Sequence, residues 1–331
     1  MPNFAGPASD DRPKHSCCGE ALTTLCQGVA VDTPISEDYR PLMSNLDSRR
    51  EQQAESKSAD GVIRLYGPEA FDGMRRAGEF AATALDMLTP WVRPGVTTQQ
   101  LDDLVFEFAL DHKALPATLN YRGYSKSICT SINHVVCHGI PGQKPLREGD
   151  IVNIDVTLIL DGWHGDTSRM YPVGVIKTRA ERLIKVTHEA LVRGIAAVKP
   201  GSMTGDIGDA IQRYAESERV SVVEDFCGHG LGSVFHDRPN ILHYRHSRAR
   251  DGRDPGDGVM MKPGMLFTIE PMLNLGRPDV KLLADGWTAV TRDRELSAQF
   301  EHTVGVTETG CEVFTYSPAG LHQPPYVMSA A

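Results

Sequence analysis

No apolar run in this 331-residue chain approaches the roughly 18 residues that a membrane-spanning helix needs. The stretch from Met1 to Cys18 mixes Pro, Asp, Lys and Gly and carries no apolar segment of the signal-peptide kind. Both absences point to a cytoplasmic protein with no membrane partner. The cysteines Cys17, Cys18, Cys26, Cys129, Cys137, Cys227 and Cys311 include no C-x-x-C pair, which excludes the zinc-ribbon and thioredoxin patterns and favours a reduced, disulfide-free protein. H-E-x-x-H, G-x-S-x-G, the P-loop and a complete G-x-G-x-x-G are also missing. So is an excess of basic charge: the formal net charge of −9 argues against DNA as a partner and against an extended nucleic-acid surface.

Hydrophobic residues make up 40% of the chain, enough to fill a sizeable core. Residues 1–64 depart from this composition. They are rich in Ser, Asp, Glu, Arg, Gln and Pro, end in the polar run Asp47 to Asp60, and read as a disordered N-terminal extension. Met43 offers a shorter start within it. One domain is expected over 65–316, followed by a flexible tail over 317–331. Pro68 suits a first helical turn, and Phe71, Met74, Ala77, Ala81, Ala84, Leu85 and Leu88 recur at helical spacing. Thr97 with Gln100 forms a capping box before the stripe Leu101, Leu104, Val105, Phe108 and Ala109. The stretch Val92-Arg-Pro-Gly-Val-Thr-Thr returns loosely as Val198-Lys-Pro-Gly-Ser-Met-Thr, again after a helical segment. The repeat predicts one α/β (α+β) domain of two similar halves, each with two helices backing a set of strands.

Those strands carry the polar chemistry. Ile151 to Leu160 reads as a strand ending at Asp161-Gly162, a favoured two-residue hairpin turn, with Trp163 to about Val173 returning. In that register Leu160 faces Trp163 and Thr157 faces Asp166. Asp155 and Asp166 then share a face as diagonal neighbours, about 7 Å apart or less at Cβ. Val152, Ile154, Val156, Leu158 and Leu160 fill the other face. Further on, Thr268 and Glu270 share the polar face of one strand, and Glu301 lies on the polar face of another. A single strand Asp is more often solvated or hydrogen-bonded than a ligand. Four acids turned inward with no matching set of Arg or Lys call for divalent metal. His229, between Gly228 and Gly230, supplies a nitrogen where the backbone can approach closely.

Six segments resemble, in order, the motifs of type I methionine aminopeptidases: Asn133-His-Val-Val-Cys-His138-Gly-Ile-Pro141, Asn153-Ile-Asp155-Val-Thr157, His164-Gly-Asp166-Thr-Ser168, Cys227-Gly-His229-Gly-Leu-Gly232, Phe267-Thr-Ile-Glu270-Pro-Met272 and Ser297-Ala-Gln-Phe-Glu301-His302. The resemblance spans about Phe71 to Phe314. It implies the pita-bread fold, pseudo-two-fold halves with antiparallel sheet backed by helices, and removal of the initiator methionine from nascent polypeptide N-termini by a monomer. It further implies two divalent ions (Co, Mn, Fe(II) or Zn), one on Asp155 and the other on His229 and Glu270, with Asp166 and Glu301 bridging. Glu270 would manage the proton of the attacking water. His138 would lie near the peptide, and His236 would hydrogen-bond the scissile carbonyl. Tyr121, Tyr124, Cys129, Phe235 and Trp287 would wall the methionine pocket. Thr118 and His134 depart from the residues often found at those positions, which touches selectivity and not the ligand set.

Between Leu242 and Lys262 the chain is longer than in compact members. The extra charged loop, Arg245 to Asp254, reads as solvated, with ribosomal RNA at the ribosome as the sharper alternative. Two rival readings remain: a proline-specific peptidase of the same fold, and a pita-bread binding protein without catalysis. All five ligand positions being present argues against the second, and the lack of a folded N-terminal domain against the first.

Overall fold

The structure, a computed structural model, describes residues 62–245 and 258–326. The expectations of a disordered N-terminal extension and a start at Met43 fall outside these residues. So does the charged loop beyond Arg245.

The first half opens with α1 (Pro68–Leu88) and α2 (Thr98–Asp111), followed by β1 (Leu115–Pro116), β2 (Cys129–Ile132), β3 (Val135–Cys137), β4 (Ile151–Leu160) and β5 (Trp163–Pro172). The second half repeats the order with α3 (Thr178–Ala196) and α4 (Gly205–Ser217), then β6 (Ser221–Val222), β7 (Gly228–Gly230), β8 (Asp237–Ile241), β9 (Leu266–Ile269), β10 (Met272–Asn274), β11 (Val280–Leu282), β12 (Ala289–Thr291), β13 (Ser297–Gln299), β14 (His302–Val306) and β15 (Cys311–Val313). Each half has its own core. Leu85, Leu88, Leu101 and Val105 of the first helix pair meet Val152, Ile154, Val156 and Leu158 of β4. Leu183, Leu191, Ile207 and Ile211 of the second pair meet Phe267, Ile269 and Val304. This is the pita-bread arrangement that the motifs implied.

The sheets are antiparallel. One runs β1-β4-β2 with β5 on β4, another β15-β14-β9-β7-β8, a third β13-β10-β6, and a fourth, β11-β12-β3, joins strands of both halves. The halves also meet between β5 and the start of β14, where Glu301 N donates to Ser168 O at 3.1 Å. The repeat is visible in the backbone: Gly95 and Gly201, each following the proline of its copy, have φ of 90° and 86°. Only glycine adopts that conformation without steric cost. The copies then diverge. Thr97 and Gln100 form the expected capping box. Thr204 keeps helical dihedrals and caps nothing; its hydroxyl accepts from Val259 N at 3.0 Å, and Asp206 takes up Met203 N instead.

Residues 317–326, read from the sequence as part of a flexible tail, make contacts with the body of the fold. Ser317 Oγ donates to Asp86, 2.8 and 2.9 Å from its two oxygens, Leu321 is buried, and Tyr326 OH donates to Met170 O at 2.8 Å. Asp86 also pairs with the buried Arg169, so the segment closes over a charged group that needs partners. Among the described residues, no helix is long and apolar enough to cross a membrane.

Candidate metal centre

The β4–β5 hairpin has the register its sequence dictates. Asp161 and Gly162 sit at φ 51° and 85°, Leu160 pairs with Trp163, Thr157 with Asp166, and Asp155 with Ser168. Asp155 and Asp166 therefore project from the same face, while the apolar residues of β4 face the first core. Asp166 is buried, and Thr157 Oγ1 donates to its Oδ1 at 2.7 Å.

The second half brings its own donors to this face. In β7, His229 N donates to Thr268 Oγ1 at 3.0 Å. Its ring Nδ1 lies 3.1 Å from Gly230 O, an N–H donating to a carbonyl. Nε2 is thereby turned to the acids, 3.5 Å from Asp166 Oδ2 and 3.8 Å from Glu270 Oε1. The flanking glycines are needed here: a Cβ at Gly230 would stand 2.0 Å from Arg238 O, and one at Gly228 2.3 Å from Thr268 O. Glu270 follows β9, and both its oxygens are held, Oε1 by Thr268 Oγ1 at 2.9 Å and Oε2 by Gln299 Nε2 at 3.3 Å. Asp166, His229 and Glu301 present ligand atoms that all lie within 4.8 Å of one another. Asp155 and Glu270 flank this trio and keep part of their surface open.

Burial pushes Asp166 up to about 7 and holds Asp155, Glu270 and Glu301 well above the usual carboxylate range. Repulsion from Asp166 raises the last three further, and Asp155 adds to it at Glu270 and Glu301. Burial also lowers His229 to about 4, leaving it neutral and able to donate a lone pair. Buried oxygens that repel one another beside a neutral, oriented imidazole form a donor set that fits a divalent cation in every respect of charge and ligand type.

The other residues singled out in the sequence surround this centre. His138 and His236 both have left-handed backbones, φ 55° and 58°. The His138 ring stands edge-on to Phe226 and Trp287, at 5.4 and 6.2 Å. The His236 ring is 4.2 Å from that of His229, with Nδ1 2.9 Å from Tyr121 OH. Tyr121 packs on Phe235 at 4.9 Å and Tyr124 on Trp287 at 5.1 Å. Cys129 pairs with Asp155 across the β2–β4 ladder, and burial and that carboxylate hold its thiol well above its normal range. It stays protonated, which disarms it as a nucleophile. Thr118 closes its own loop by donating to Lys126 O at 3.0 Å. Phe226 and His243, which receives the Glu270 N–H at 3.1 Å, went unnoticed in the sequence. Phe226 directly precedes the Cys227-Gly-His229 motif, a signal that could have found it. A separate cleft of about 730 Å³ beside α3 holds Lys185, Glu181, Arg193 and Glu189, whose charges pair with one another.

Residues 72–308 match metallopeptidase family M24. The methionine aminopeptidase of Rickettsia prowazekii is 57% identical over 266 residues, covering 80% of this chain and all of that protein. Its crystal structure superposes with a TM-score of 0.73, covering 77% of this chain and 100% of that one. The methionine aminopeptidase of Thermotoga maritima is 38% identical at a TM-score of 0.72, covering 77% and 99% of the two chains. The prolidase of Pyrococcus furiosus, 19% identical at a TM-score of 0.58 over 81% of this chain and 67% of its own, shares the fold alone.

Proposed function

This chain belongs to metallopeptidase family M24, among the methionine aminopeptidases, and from that membership we infer that it hydrolyses the bond after an N-terminal methionine, preferring a small second residue. It is a metallo-exopeptidase, and divalent metal comes with the family. The observation that carries the site reading is the convergence of buried oxygens and one imidazole from both halves of the fold. In this reading two cations bind. Asp166 and Glu301, at the seam between the halves, would hold them together with Asp155 from the first half and His229 and Glu270 from the second.

When bound, the cations polarise the scissile carbonyl and lower the pKa of the attacking water. Glu270 takes that water's proton at Oε2, the more loosely held of its oxygens, and later gives it to the leaving amine. With the Tyr121 OH donating to its Nδ1, 2.9 Å away, His236 would present Nε2–H to the oxygen on which negative charge develops. His138 lies along the peptide against Trp287. Tyr121, Tyr124, Cys129, Phe235 and Trp287 wrap the thioether, a soft and unbranched chain that aromatic walls accommodate well. Co, Mn, Fe(II) and Zn all suit four carboxylates and one imidazole, so cellular supply selects among them. The reading makes the protein a cytoplasmic monomer that meets nascent chains as they leave the ribosome.

Metal analysis alongside hydrolysis of Met-Ala-Ser and Gly-Pro peptides tests this function. Bound divalent metal with cleavage confined to the methionyl peptide supports it. Cleavage of the Gly-Pro bond alone, or no metal, contradicts it. Ribosome association through the loop after Arg245 has its own test, because reversing the charge of Arg248 and Arg250 should then reduce co-sedimentation at low salt.

A further inference from the structure

β9 ends at Ile269, the last residue in register with β14, and Glu270 is the first beyond it. Its N–H donates to His243 Nε2 at 3.1 Å. Pro271 follows and has no N–H, so this one bond anchors the backbone where the chain leaves β9 for β10. His243 is 1% exposed. An imidazole that accepts at Nε2 carries its proton on Nδ1, and that Nδ1 is buried without a partner among the described residues. An apolar side chain of similar size would avoid the cost of that orphan donor, so the ring does more than fill space. The segment carrying it is fixed from behind. A Cβ on Gly208 would stand 2.5 Å from Tyr244 O and 2.7 Å from Leu242 O, so α4 reaches this backbone only because residue 208 is glycine. Arg245 then ties the segment to α4 through Glu216 at 2.6 Å.

We propose that His243 is a positioning residue for Glu270: by accepting the Glu270 N–H it fixes the backbone from which that carboxylate enters the metal centre. Thr268 and Gln299 hold the two oxygens, and His243 holds the opposite end of the same residue. The inference rests on Glu270 being a metal ligand. Glutamine carries an acceptor to about the position of Nε2, and leucine keeps the bulk without one.

Manganese affinity of the full-length protein, measured by calorimetry for wild type, His243→Gln and His243→Leu, tests it, with kcat and KM for Met-Ala-Ser measured in parallel. The glutamine variant should stay within about 3-fold of wild type, and the leucine variant should lose roughly 10–100-fold in affinity, with lowered kcat and little change in KM. If the leucine variant does not fold, His243→Asn replaces it, since its amide stops short of the Glu270 N–H. Equal affinity of the acceptor and non-acceptor variants, with wild-type uptake intact, overturns the role alone. Wild-type protein that takes up no manganese overturns the metal-site reading and this role with it.

Discussion

His138 and His236 hold left-handed backbone conformations that cost a residue with a Cβ about 1–2 kcal/mol each. Such strain collects where a side chain must leave the regular direction of its strand, and here it goes with a His236 ring 4.2 Å from that of His229. His236→Ala should lower kcat by about 10²–10³-fold, the worth of one donor to a developing oxyanion, with metal content unchanged. Loss of metal in that variant would show that the ring serves the cations and not the carbonyl. Asp102 makes a second prediction at this scale. Burial raises it to about 6 although Ser127 N and Ile128 N both donate to its Oδ1. The folded state therefore favours the protonated form. The Asp102 contribution to stability should fall as pH rises from about 4 to about 6, by about 3 kcal/mol, on top of the loss from the raised acids of the centre. Asp102→Asn keeps an acceptor for both N–H groups, so urea unfolding at pH 4 and pH 6.5 should show the wild-type difference reduced by about that amount. The acids of the centre were legible because strand side chains alternate with period two and the hairpin turn sets the register. His243 was not, because its partner is a backbone N–H that no side-chain pattern encodes.

Among the elements, the β4–β5 hairpin was fully legible, since Asp161-Gly162 selects a turn with two positive φ values. Gly162→Ala should cost about 1–2 kcal/mol from that backbone strain alone, because a Cβ there meets nothing within 4 Å. A wild-type urea midpoint in that variant would count against the turn assignment. The contacts of the C-terminal segment were not legible. Its Pro-rich, polar composition suggests mobility, while its order comes from Asp86 and Met170, distant in sequence and close in space. Deleting residues 317–331 should destabilise the protein by several kcal/mol, since Leu321 alone buries side-chain surface worth about 1.5–3 kcal/mol. An unchanged midpoint on deletion would return the segment to the status of a loose tail.

For the molecule as a whole, the two halves were visible as a weak repeat around Pro94-Gly95 and Pro200-Gly201, and the resemblance supplied how they face each other. What the repeat could not foretell is the divergence of the helix caps, which depends on Val259 reaching Thr204. In the proposed reading the cations bind between the two halves, which links metal to global stability. Stripping metal with a chelator should lower the unfolding free energy by about 2.7 kcal/mol for each ion bound, relative to protein with free metal at one hundred times the dissociation constant. The most direct measurement is anomalous diffraction from crystals soaked in manganese. The account predicts two peaks that share Asp166 and Glu301, one also touching Asp155 and the other His229 and Glu270. Peaks elsewhere on the molecule, or none in this cavity, would contradict it.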